Sequence, residues 1–180
     1  MEETAIGENF LKSAYTRLAE HKALADKTIA QLSETQLHFQ PGETSNSIAI
    51  IMQHLYGNMQ SRWTAFLTED GEKKGRNRDA EFEIQPLSKD ELIQRWNNGW
   101  ALVFDTLNAL TAHDLLKKIT IRNQPLTVVD AINRQVAHYS YHVGQIVFLG
   151  KWIMNDAWQT LSIPKGGSEQ YNQSMIHGEA

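Results

Sequence analysis

Four stretches of this chain space their apolar residues three, four or seven to eight positions apart over roughly 20 to 30 residues each, a rhythm that suits helices and little else. The first runs from about Thr4 to Leu32 and carries Ile6, Phe10, Leu18, Ala25 and Ile29. After the loop "QPGETSNS", Ile48, Ile51, Leu55, Met59 and Phe66 continue the rhythm through "SIAIIMQHLYGNMQSRWTAFL". A polar stretch, "TEDGEKKGRNRDAEFEIQP", separates this second segment from the third. There Ser88 and Glu91 form a capping box, and Leu87 with Leu92 makes a hydrophobic staple. Leu92, Trp96, Trp100, Val103, Leu107 and Leu110 are its stripe. Next, "LLKKITIRNQPL" joins a β-like Ile-Thr-Ile to an Asn-Gln-Pro turn, which predicts a short hairpin. Thr127 and Asp130 cap the last segment, whose stripe runs from Val128 through Tyr139 and Val143 to about Met154. The tail, residues 155–180, reads as extended, with Trp158, Leu161 and Ile163 docking on the helices or on a second subunit.

Helices with one apolar stripe each can bury those stripes only against one another, so the expected fold is an all-α four-helix bundle. One domain, residues 1–180, accounts for the chain, since 41% hydrophobic content over 180 residues supports a single core. A net charge of −4 supplies no basic field, which argues against nucleic acid as a direct partner. With no cysteine, disulfides, thiolate nucleophiles and cysteine-bound zinc are excluded together. Any reactive thiol must come from outside. The N-terminus "MEETAIGENF" lacks the basic-then-apolar pattern of a leader, and no run approaches the roughly 20 apolar residues of a membrane span. The expectation is a cytoplasmic protein.

The stretch "AHYSYHVGQIVFLGKW" sets His138 and His142 four residues apart. Chance alone yields about 0.3 such pairs in a chain with seven histidines among 180 residues, so the spacing is a weak signal by itself. Position adds to it. On a helix the two lie about 40° apart and about 6 Å along the axis, within reach of one ion, and about 100° to one side of the apolar stripe. His54 is displaced by a similar angle from the stripe of the second segment. A seam between the two helices would then bring together three imidazoles, the ligand set of an open metal site. Taken singly, each histidine reads first as a boundary residue with one nitrogen hydrogen-bonded and the other solvated, and the metal reading rests on the trio. His21, His38, His113 and His177 lie in polar surroundings without a partner at metal spacing.

These residues resemble a known family. "IMQHLYGNMQSRW" and "HYSYHVGQIVFLGK" are similar to the DinB/YfiT-like superfamily of metal-dependent four-helix bundles, and the likeness spans nearly the whole chain. The "RW" of the second segment and the tail "TLSIPKG" point to a bacterial branch without assigned activity. The resemblance implies that His54, His138 and His142 hold a divalent metal, nickel or zinc, in an open cavity. It also implies chemistry with a low-molecular-weight thiol of the bacillithiol type acting on a small-molecule electrophile. Five tryptophans and the apolar tail point to a homodimer, the alternative being a monomeric core that absorbs them. A metal-bound thiol loses its proton near neutral pH, which would supply the nucleophile this chain lacks.

Gln135 and Gln145 share the histidine edge and are candidates for orienting an imidazole or a bound water; the alternative is that both are merely solvated. Tyr139 reads as core and Tyr141 as facing a partner or the cavity rim. Arg62, Arg76 and Arg78 suit the carboxylate of a thiol cofactor, or are ordinary solvated charges. A di-iron bundle is excluded because Gln135 stands three before His138 and no Glu-x-x-His pair exists; no His-Glu-x-x-His occurs either. No catalytic side chain is assigned. The reading from a different class is a non-catalytic dimeric stress protein whose metal is structural or absent.

Overall fold

The computed structural model describes residues 2–177, without the side chain of His177. Residue 1, residues 178–180 and the expectation for the His177 side chain lie outside the described residues. Within them the protein is all-α apart from one small two-stranded sheet. Helix α1 spans Glu2–Gln31, and a single turn α2, Glu34–Leu37, follows it behind a Ser33–Gln36 capping box. Helices α3 (Ile48–Trp63), α4 (Lys89–Ala109) and α5 (Val128–Met154) are the other long elements. Strands β1 (Lys118–Ile121) and β2 (Gln124–Thr127) precede α5, and α6 (Ser168–His177) lies beyond it. No helix among the described residues is long and apolar enough to cross a membrane.

The stripes meet as pairs: α1 lies along α5, α3 lies along α4, and contacts of α3 with α5 and α1 with α4 close the core. Trp63, Trp96, Trp100 and Tyr139 fill its middle. Three of their polar tips are partnered, since Trp63 Nε1 donates to Tyr139 Oη, Tyr139 Oη donates to Asn58 Oδ1, and Trp96 Nε1 donates to Asp26. Buried aromatics with polar handles need such partners. Gly150 lets α1 approach α5, because a Cβ there would collide with Thr28.

The capping boxes at Ser88–Glu91 and Thr127–Asp130 form as expected. Several details differ from the sequence reading. Ile6 is exposed and Phe10 only half-buried, so the stripe of α1 begins in earnest at Ala14. Helix α3 stops at Trp63, and Ala65 takes a positive φ of 48°, so Phe66 reaches the core from the loop. The hairpin turn is Arg122–Asn123, not Asn-Gln-Pro. Both residues have positive φ, 55° and 60°, as a two-residue type I′ turn requires, and Pro125 sits in β2 of a two-stranded sheet, where a missing N–H is tolerated. The tail is not extended throughout. Gln159 exchanges hydrogen bonds with Gln31, and Trp158 and Leu161 are half-buried, but Ile163 is exposed and residues 168–177 form α6. That helix is solvated along most of its length and so lacks the apolar period by which the others declare themselves.

Candidate metal centre

Helix α3 is buried almost all round, because residues 64–88 fold back over the face that α4 and α5 leave open. Gln53 Nε2 anchors this segment by donating to the carbonyls of Ala80, Glu81 and Glu83. The anchored 3-10 turn, Asp79–Phe82, brings two side chains onto His54. Phe82 stacks on its ring at 4.7 Å between centroids, and Glu81 Oε2 lies 2.9 Å from its Nδ1. His54 is therefore enclosed, with 4% exposure, and not the edge residue that the stripe predicts.

Glu81 is itself held. Arg76 Nε and Nη2 donate to its two oxygens at 2.6 and 2.8 Å. Burial opposes ionisation of Glu81, yet hydrogen bonds from Arg76 and His54 outweigh it and keep the carboxyl below its ordinary range. A carboxylate only accepts, so Nδ1 of His54 carries a proton and donates it to Glu81. The same logic applies to His142, whose Nδ1 faces Gln145 Oε1 at 2.8 Å. Burial, with the nearby His142 and His54, pushes His138 down to about 3. Burial likewise takes His142 down to about 4, against the hydrogen bond that its Nδ1 donates to Gln145. Both rings are neutral at pH 7, the form that ligates metals.

His54, His138 and His142 each offer one nitrogen, and these lie within 4.8 Å of one another. Two nitrogens bound to one tetrahedral zinc at about 2.0–2.1 Å are separated by about 3.3–3.4 Å. His54 Nε2 and His138 Nε2 are 3.3 Å apart. The group fits a divalent ion in donor type and in the His54–His138 spacing, and no fourth His, Asp or Glu joins it among the described residues.

The three rings open onto a cavity of about 470 Å³ walled by α3, α5 and the 76–82 segment. Of the glutamines named from sequence, Gln145 bonds an imidazole, whereas Gln135 is buried in the cavity wall with Oε1 unpartnered. Tyr139 lies in the core and Tyr141 at the cavity rim, 55% exposed. Arg62, Arg76 and Arg78 all line the cavity, but Arg62 and Arg76 have side chains only 5% exposed and are ion-paired, not solvated. His38 bonds the Leu87 carbonyl and His21 the Arg17 carbonyl, away from the cavity.

Sequence reasoning missed Glu81, Phe82, Asn58, Arg122 and Arg134. Asn58 and Arg134 do carry a signal, since Asn58 lies four residues after His54 and Arg134 four before His138, on the same helical rows. For Glu81 the only hint is an apolar Phe82 inside a charged loop. Gly57 completes the arrangement: a Cβ there would strike the Glu81 carboxylate.

Fold and site together define an all-α protein with a three-histidine group able to hold a metal ion. The chain belongs to the DUF1572 family, described as a protein of unknown function, whose model matches residues 5–167. No curated protein matches the chain closely enough to be called a relative.

Proposed function

We propose that this protein is a metal-dependent enzyme of the DinB/YfiT-like four-helix-bundle type, cytoplasmic, that activates a low-molecular-weight thiol for transfer to a small electrophile. The observation that carries the reading is the meeting of His54, His138 and His142 nitrogens within 4.8 Å in the wall of an open cavity. A divalent ion there, nickel or zinc, would keep its full charge on three neutral ligands and lower the pKa of a thiol or water in its vacant position. Glu81 and Gln145 orient the His54 and His142 rings through Nδ1, leaving Nε2 of each available. Phe82 and the buried wall of α3 keep bulk water from the back of the rings. The front of the cavity remains accessible to a cosubstrate of the bacillithiol type.

Elemental analysis tests the reading directly. Purified wild-type protein should carry about one divalent ion per chain. His138→Ala should lose tight binding while keeping its helical circular dichroism, because His138 is only partly buried. Absence of metal after metal-supplemented expression overturns the proposal. A second reading, a non-catalytic homodimer, draws on Phe148 and Trp152, which project from α5 at 73% and 57% exposure.

A further inference from the structure

The cavity wall contains five arginines, Arg62, Arg76, Arg78, Arg122 and Arg134, and no acidic side chain. In a chain of net charge −4 this is a strong local concentration of positive charge. Two acids behind the wall engage part of it. Arg76 is committed to Glu81 and Glu72, while Glu72 also takes Arg62 Nη2 and Arg122 Nε. Arg78 and Arg134 have no ion-pair partner among the described residues, although Arg78 lies over the Phe82 ring.

A second observation is independent of charge. Two polar atoms of wall residues are buried without any partner, Arg62 Nε and Gln135 Oε1, on residues 5% and 2% exposed. Buried polar groups without partners are uncommon and mark this wall for a role beyond packing. The placement of the pair along the helices is also informative. His54, Asn58 and Arg62 succeed one another every fourth residue on α3, so Arg62 stands about 12 Å along the axis from the histidine end. On α5, Arg134 and Gln135 precede His138 by about one turn.

We propose that the cavity binds a small molecule through an oxyanion group, a carboxylate or a phosphate, held by Arg134 and Arg78, the two cavity arginines without an ion-pair partner among the described residues, while its other end faces the three histidines. The inference rests on the proposed function only for what happens at the histidine end. Anion recognition is a property of the arginines and holds without metal.

Metal-free protein, stripped with chelator, is titrated calorimetrically at low ionic strength with inorganic phosphate and separately with succinate. Saturable binding of at least one is expected, at one site per chain, and the tighter of the two identifies the oxyanion. The doubly substituted Arg78→Gln/Arg134→Gln protein should bind it about tenfold or more weakly, since removing a charge-assisted hydrogen bond weakens binding by roughly that factor. Both residues are exposed, so the variant should fold, and its zinc uptake per chain should equal that of wild type. No saturable binding of either anion, or an unchanged affinity in the variant, overturns the inference. Failure of wild-type protein to take up metal would sink the enzymatic reading instead and leave the anion result standing.

Discussion

Glu81→Gln isolates what the carboxylate behind His54 contributes. The substitution keeps size and shape but removes the charge. In the wild type the two oxygens accept from His54 Nδ1 at 2.9 Å and from Arg76 at 2.6 and 2.8 Å. A glutamine offers one oxygen, and its amide N–H must face either Arg76 or His54, both of which donate at this point. At least one charge-assisted hydrogen bond is therefore removed and one donor–donor clash created. Such bonds are worth about 1.5–3 kcal/mol, and Arg76 retains only its pairing with Glu72, so a stability loss of about 2–4 kcal/mol is expected. At the metal the His54 ring keeps at most a neutral amide oxygen in place of its charged acceptor, which corresponds to a fall in affinity of about 10-fold or more. Competition for zinc against a chromophoric chelator measures the second effect, and urea unfolding of the metal-free protein the first. A folded variant that binds zinc within about twofold of wild type refutes the role given to Glu81. Gly57→Ala approaches the same point by sterics: its Cβ would push on the Glu81 carboxylate, so zinc affinity should drop despite a gain of about 1 kcal/mol in helix propensity.

Because His138 and His142 are pushed down to about 3 and about 4 in the folded chain, the unfolded chain binds more protons than the folded one below the ordinary histidine pKa. Stability of the metal-free protein should thus be level above pH 7 and fall as pH drops from about 6.5 towards 4, with a shallower fall in His138→Gln; urea midpoints across this range read it out. Cobalt-substituted protein should change its visible spectrum when a low-molecular-weight thiol is added, and an unchanged spectrum would favour hydrolysis or no catalysis. Sedimentation should show a homodimer of 20.5 kDa chains, and Phe148→Glu should convert it to monomer; a wild-type monomer at micromolar concentration removes the α5 face as an interface.

What can be read from the chain depends on the range of the interaction. Ser88–Glu91 and Thr127–Asp130 are three residues apart, and their caps follow from local chemistry. His54 and His138, 84 residues apart, are still legible because each is fixed relative to an apolar stripe and the stripes must face one another. Glu81 is not, since the segment that carries it reaches His54 through polar contacts that leave no period. Gln53 binds three of its carbonyls, Asp70 accepts from the backbone of Arg122 and Asn123 in the hairpin turn, and Gly71 N–H donates to Thr120. Helix α6 escapes for the related reason that a solvated helix has no buried face to mark it.

The polar closure of that segment has an energetic consequence for the site. Glu81 is at once the residue that fastens the 64–88 segment over α3 and the one that holds the His54 ring. The closed segment and the ligand geometry therefore share one set of hydrogen bonds, and any ion that prefers the oriented ring must stabilise the closed segment by the same free energy. Arg62, Arg76 and Arg122 meet at Glu72, so the hairpin turn, α3 and the segment enter the same linkage. The presence of this network on the face where the three imidazoles converge ties the orientation of the His54 ring to the closure of the 64–88 segment.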